Sequence, residues 1–162
     1  MDIPDLAPDF SFPRLSTRPA DREFAFEIKR AAMAPHIAPR WGWDDIYQRE
    51  VHRRHYSVKP FFAIAKGERR IGTLSWWILP DHIRFGEFYL LPELHGRGWG
   101  TAILLHVLML ADSAERPVRC EYLRWNPVGS LYRRHGFEEI ARSESHIFLE
   151  RPARKIWRGP PT

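Results

Sequence analysis

Three glycines alternate within the run His95-Gly96-Arg97-Gly98-Trp99-Gly100-Thr101. An extended apolar segment, 83–91, closed by Pro92, precedes the run, and a helical pattern, 101–114, follows it. A glycine-rich turn between a strand and a helix leaves backbone N–H groups without partners at the positive end of the helix dipole. Such a turn holds anions, above all phosphates. Gly96, Gly98 and Gly100 lack the Cβ atoms that would keep a pyrophosphate off the backbone. The spacing argues against the two commonest phosphate loops. A P-loop would end in Gly-Lys-Ser/Thr, and a dinucleotide fingerprint reads G-x-G-x-x-G at the opening of a βαβ unit. Here the pattern is G-x-G-x-G, past the middle of the chain.

A second constellation is Asn126-Pro127-Val128-Gly129-Ser130-Leu131-Tyr132-Arg133-Arg134-His135-Gly136-Phe137. It reads as a complete short helix, 126–135. Asn126 is a favoured N-cap, Pro127 loses no needed N–H at the first helical position, and Gly136 supplies a left-handed stop. By itself Tyr132, one place after Leu131, would be read as core packing.

Together the two runs resemble the GNAT superfamily of N-acetyltransferases. His95, Gly98 and Gly100 fill its acyl-CoA signature, [Gln/Arg]-x-x-Gly-x-[Gly/Ala], behind a strand and a proline. The second run matches its Asn-x-x-x-x-x-Tyr-x-x-x-Gly-Phe pattern. His95 departs from the usual Gln or Arg and would be a weaker, pH-dependent phosphate partner. The resemblance implies direct acetyl transfer from acetyl-CoA to a primary amine in a ternary complex, on a small molecule or a peptide. It implies that Tyr132 protonates the departing thiolate. Acetyl-CoA would lie against Phe88, Leu90 and Leu91, the loop residues His95, Gly96, Arg97, Gly98, Trp99, Gly100 and Thr101, and Asn126 and Tyr132. The Leu90 N–H would polarise the thioester carbonyl. Glu87 is the candidate base: it shares the parity of Ile83, Phe85 and Tyr89, and apolar neighbours would raise its pKa. The bland alternative is that a bulge turns Glu87 toward an arginine such as Arg84.

The family's acceptor groove usually comes from the first two helices. There Trp41, Trp43 and Asp44, followed by Asp45, could form an aromatic wall and an anionic patch for a cationic amine. Tyr47 and Trp76 are further pocket candidates. Equally, the tryptophans could only fill space while Asp44 caps a helix. His52 and His55 share a helix face, but no H-E-x-x-H or Cys/His cluster accompanies them, so surface or supporting roles are expected and no metal. Cys120, the one cysteine, reads as a core residue rather than a nucleophile. His135 is expected near its helix's C-terminal end.

These groups need a scaffold. The expected elements are a strand 15–18 and a helix 21–33 carrying Phe24, Ile28, Ala31 and Ala32 on its apolar face. A break follows at 35–43, then a helix from Asp44 or Asp45 toward Tyr56, and strands 61–65, 71–79 and 83–91. A long helix presents Ile103, Leu104, Val107, Leu108 and Ala111. A strand 118–125, the Tyr132 helix and strands 137–142 and 146–150 close the chain. The order β-α-α-β-β-β-α-β-α-β-β is the GNAT order. The fold class is α/β (α+β), a mixed, mostly antiparallel twisted sheet flanked by helices. One such domain, 14–151, is expected between an arm, 1–13, and a basic tail, 152–162. The tail is read as solvated, or as touching CoA phosphates or a partner subunit.

The 162 residues carry 44% hydrophobic and 28% charged residues, as an ordinary globular protein does. No apolar run approaches the roughly 20 residues of a membrane helix, the N-terminus is unlike a signal peptide, and the lone cysteine fits a reducing cytoplasm. A net charge of +5 suits an anionic ligand. It would also suit nucleic acid, but no recognition motif supports that reading. A catalytically silent acyl-CoA-binding module is the main alternative. The family often dimerises, though nothing in the sequence fixes an interface.

Overall fold

A computed structural model describes residues 2–156 and 159. Its elements are β1 (Phe10–Ser11), α1 (Pro19–Trp41), α2 (Asp45–Val58), β2 (Phe61–Lys66), β3 (Arg69–Ile78), β4 (Ile83–Leu90), α3 (Trp99–Ser113), β5 (Val118–Leu123), α4 (Gly129–Arg134), β6 (Glu138–Arg142) and β7 (His146–Arg151). The expected order of helices and strands is present. The strands hydrogen-bond in the order β1-β2-β3-β4-β5-β7-β6, a seven-stranded sheet flanked by helices. β4 and β5 are parallel, while β1–β2, β2–β3, β5–β7 and β6–β7 are antiparallel. Among the described residues no helix is long and apolar enough to cross a membrane.

The chain divides into two compact units. One runs to Trp77 and includes Phe85–Gly100; the other comprises Ile78–Arg84 and the chain from Thr101 onward. In the first unit, α1 starts at Pro19 without a side-chain cap on Arg18. Asp21 anchors this end instead, accepting hydrogen bonds from the Ser16 N–H at 2.9 Å and the Arg70 guanidinium at 2.8 Å. The Ser16 amide bond, then Arg70, lower the Asp21 pKa to about 2. Asp44 caps α2, accepting from the Tyr47 N–H at 3.0 Å. The core of this unit encloses Phe26, Phe62, Ile64, Ile71, Leu74 and Phe85.

Three expectations are corrected here. The helix is not broken at 35–43: α1 continues through Pro35 and Pro39 to Trp41 and stops at Gly42, whose φ is 71°. Each proline removes one ladder hydrogen bond, but Met33 and Ile37 stay buried and hold the last turns in place. The buried face carries Ala25, Phe26, Ile28, Lys29, Met33 and Ile37; Ala31 and Ala32 are only half-buried, while Phe24, also half-buried, packs against the cluster of Leu15, Ala25, Phe61 and Ala63. The first strand lies at Phe10–Ser11, where it pairs with β2, rather than at 15–18. Leu15 still donates its N–H to the Phe61 carbonyl at 2.9 Å, and buried Ile3, Phe10 and Phe12 fasten the expected arm.

In the second unit, α3 buries Ile103, Leu104, Val107, Leu108 and Ala111, the face its periodicity predicts. Val118 and Leu149 lie fully buried in β5 and β7. α4 begins at Gly129, not at Asn126. The Asn126 Oδ1 accepts the Val128 N–H at 3.1 Å, closing an Asx turn ahead of the helix. The start of the tail is tied down, since Asp112 accepts both guanidinium arms of Arg151, at 2.8 and 2.9 Å, and the Arg154 N–H at 2.8 Å. Trp157 and Arg158 of that tail lie outside the described residues.

Candidate active site

The anion loop is built in the first unit. Leu91 donates its N–H to the Ile71 carbonyl at 3.0 Å, so β4 stays fastened to β3 up to its end. Gly72 makes that contact possible: a Cβ there would stand 2.2 Å from the Tyr89 carbonyl oxygen. A single 3₁₀ turn, Pro92–Leu94, then redirects the chain. Gly96 and Gly98 follow with φ of 77° and 79°, the left-handed region that glycine enters without strain. Nothing lies within 4 Å of a Cβ placed on either one. Among the described residues no acceptor meets the amides of Gly96, Arg97 or Gly98.

Arg97 is exposed, its guanidinium 5.3 Å from the Trp99 ring centre, with no carboxylate paired to it among the described residues. Trp99 in turn packs edge-on against Phe10 at 5.7 Å. Free amides, open glycines and a free guanidinium suit a pyrophosphate. The residues present therefore fit the phosphates of CoA. His95 does something different from the expected Gln or Arg. Its Nε2 lies 3.0 Å from the Leu90 carbonyl oxygen, so as the Nε2–H tautomer the ring ties the loop back to the strand. Phe88 and Leu91 are half-buried and Leu90 is buried.

Glu87 interrupts β4. It adopts φ 47°, and its carbonyl accepts the Thr73 hydroxyl at 2.8 Å. A non-glycine residue in this region stores strain, which surrounding contacts must hold. The parity with Phe85 and Tyr89 is broken, and the side chain, 6% exposed, meets Lys59 Nζ at 2.9 Å. His55 Nδ1 lies 3.6 Å from the same oxygen, an ion-pair distance too long for a hydrogen bond. The expected raised pKa is corrected. Burial does push the carboxyl up, but His55, Lys59 and Lys29 together outweigh it and hold Glu87 well below the ordinary range. It is an ionised anchor, poorly suited to abstract a proton. Arg84 does not reach it, pairing with Glu121 at 2.7 Å.

Lys29, His55 and Lys59 are neighbours the sequence reading missed. Lys29 carried a signal: it falls three and four residues from Phe26, Ala25 and Met33, on the apolar stripe of α1. His52, for which a surface or a supporting role was expected, is buried. Its Nε2 lies 3.2 Å from the Arg22 carbonyl oxygen, and burial, then Lys29, lower its pKa. Among the described residues, the enclosed polar atoms His52 Nδ1, His55 Nδ1, Trp76 Nε1 and Glu87 Oε2 have no hydrogen-bond partner.

The expected acceptor patch is largely spent on structure. Asp44 caps α2, and Asp45 receives Trp43 Nε1 at 3.2 Å and Arg49 Nε at 2.8 Å. Trp43 packs on Phe26, Trp76 is buried against Phe85, and Trp41 and Tyr47 are exposed. A cleft of about 210 Å³ between α1 and α2 is lined by Arg22, Glu23, Phe26, Arg49, His52 and Arg53. Its Arg49 and Arg53 are engaged by Glu23 and Glu50.

In the second unit Tyr132 is buried, with the rings of Phe137 at 5.4 Å and Tyr122 at 6.3 Å. Burial first, then Cys120, raise its pKa well above the ordinary phenol value, so the hydroxyl carries its proton. No described residue hydrogen-bonds that hydroxyl. The Cys120 thiol is buried and likewise pushed up by burial, which removes it as a nucleophile. His135 ends α4, its Nδ1 2.7 Å from the Leu131 carbonyl. Thr101 lies in the first turn of α3.

An anion loop after a bulged strand, with a buried tyrosine behind an Asn–Pro turn, describes an acyltransferase. The acetyltransferase (GNAT) domain profile matches residues 57–139, just over half of the chain. The chain belongs to the GNAT acetyltransferase family. Solved structures agree in fold. PaiA N-acetyltransferase from Thermoplasma acidophilum, solved in complex with coenzyme A, is 20% identical with a TM-score of 0.69, over 88% of this chain and 98% of its own. The ribosomal-protein-S18-alanine N-acetyltransferase of Escherichia coli is 15% identical with a TM-score of 0.66, over 94% and 99%. An acetyltransferase from Thermus thermophilus is 13% identical with a TM-score of 0.69, over 94% and 99%. No curated protein sequence matches the chain.

Proposed function

We propose that this acyltransferase moves an acetyl group from acetyl-CoA to a primary amine by direct transfer in a ternary complex. The carrying observation is the loop at 96–98, with its two left-handed glycines, open approach and unpartnered amides. Bound acetyl-CoA supplies the acyl group as an activated thioester. The Gly96, Arg97 and Gly98 amides and the Arg97 guanidinium hold its phosphates. Phe88, Leu90 and Leu91 line the pantetheine arm, and the Leu90 N–H polarises the carbonyl oxygen. The Tyr132 Oη donates its proton to the departing sulfur, a role its raised pKa supports because the phenol is fully protonated near neutrality. Cys120 takes no part, so no acyl-enzyme forms.

Glu87 is committed to Lys59, and the more exposed His55 imidazole beside it is the group that accepts the amine's proton. The reading places the enzyme in the cytoplasm with no metal requirement. The test is acetyl-CoA-dependent thiol release across a panel of amines, with mass spectrometry of the product. N-acetylated product without labelled protein is the expected result. An acetylated cysteine or lysine on the protein's own turnover path would refute direct transfer.

A further inference from the structure

Lys29 sits on the inner face of α1, 8% exposed, where the helix otherwise presents Ala25, Phe26, Met33 and Ile37. Burial above all lowers its pKa, the charge of Glu87 opposes that shift and Lys59 adds to it. The one carboxylate in this neighbourhood, Glu87, is already paired with Lys59 at 2.9 Å, with His55 at 3.6 Å. Lys29 has no hydrogen bond or ion pair among the described residues. Its Nζ is not among the fully enclosed polar atoms. A lysine this deeply buried without a hydrogen-bonded counter-ion is costly, and burial alone would favour an apolar residue of the same length. Nearby, the enclosed Glu87 Oε2 and His52 Nδ1 also lack partners. The cluster thus holds an excess cation beside an anchored carboxylate, on the strand that leads to Leu90. By contrast Asp44 and Asp45, the groups expected to select a cationic amine, are committed to a helix cap and to Arg49.

We infer that the acceptor is a small amine carrying an anionic group, a carboxylate or a phosphate, which Lys29 binds. This rests on the acetyl-transfer reading above. Thiol release by the intact protein is compared for matched pairs. Methionine against methioninamide and phenylalanine against phenylalaninamide report on a carboxylate; glucosamine 6-phosphate against glucosamine reports on a phosphate. Calorimetry measures binding of the same compounds to protein saturated with coenzyme A, which carries no acetyl group to transfer.

A charge-assisted contact worth about 1.5–3 kcal/mol predicts a preference of roughly ten- to hundredfold in kcat/KM for the anionic member of at least one pair. Lys29→Met should erase the preference, and Lys29→Arg should keep it. The acetyl-CoA affinity of both variants reports whether they are folded. Equal use of both members, failure of every anionic member to bind wild-type protein, or a preference that survives in Lys29→Met overturns the inference. Absence of acetyl-CoA binding by the wild type would instead overturn the transfer reading on which it stands.

Discussion

Lys59 Nζ stands 2.9 Å from Glu87 Oε1 and, with His55 and Lys29, holds the carboxylate expected to be a base in its charged form. The strained φ of 47° at Glu87 is what delivers its side chain to α2. Removing the charge leaves the half-buried Lys59 without its counter-ion. Glu87→Gln is expected to lower stability by about 3 kcal/mol near neutral pH, as breakage of a buried pair does. The folded pKa lies below the unfolded value of 4.5. The stabilisation is therefore full above that value and is lost as pH falls through the folded pKa. Thermal melts of wild type and variant should differ by a constant amount above about pH 5 and converge on acidification. A gap that widens in acid would contradict the pairing.

Tyr132→Phe separates chemistry from packing. The ring fills the space beside Phe137, while no described residue bonds the hydroxyl. Loss of the hydroxyl should leave the melting temperature and acetyl-CoA affinity almost unchanged. It should lower kcat by roughly a hundredfold or more, as loss of a general acid does. Steady-state kinetics with direct binding measurements check both halves. An unchanged kcat would remove Tyr132 from the proton path.

Gly72→Ala tests how closely β3 must approach β4. The new Cβ would meet the Tyr89 carbonyl oxygen at 2.2 Å and Leu90 Cα at 3.2 Å, both backbone atoms that cannot turn aside. Forced separation of the strands should cost about 1–3 kcal/mol and raise KM for acetyl-CoA through the displaced Leu90. A melt and a KM that both match wild type would contradict the packing.

Asp112→Ala should release the chain after β7. The carboxylate holds Arg151 and the Arg154 N–H, and burial of the pair makes its loss expensive, about 3 kcal/mol. Hydrogen exchange at the Arg154 amide should accelerate more than at Leu149, in the middle of β7.

The element order was legible because its signals are local: alternating apolar residues, Asp44 before a helix, Gly98 and Gly136 at turns. The glycine loop and the Asn126-to-Phe137 run were legible for the same reason, since each is a contiguous stretch. Tertiary contacts overrode local rules elsewhere. Pro35 and Pro39 should end a helix, yet buried Met33 and Ile37 carry α1 past them. Glu87 looked like a carboxylate among apolar neighbours because Lys29, His55 and Lys59 lie at least 28 positions away. Its ionisation is set by those partners, and spacing alone carries no record of them. The helix-capping alternative read for Asp44 holds, and the reach of Trp43 and Arg49 to Asp45 is the part that spacing did not record.

The central claim is that the loop at 96–98 binds acyl-CoA phosphates, and calorimetric titration of acetyl-CoA into wild type, Gly98→Ala and Gly98→Glu tests it most directly. Both substitutions share the strain of a left-handed φ, 79°, in open space. That strain is worth about 1–2 kcal/mol, so Gly98→Ala should weaken binding by no more than roughly thirtyfold. Gly98→Glu adds a carboxylate against the phosphates and should abolish it. Equal affinity in Gly98→Glu and Gly98→Ala, or no binding by folded wild type, would contradict the account.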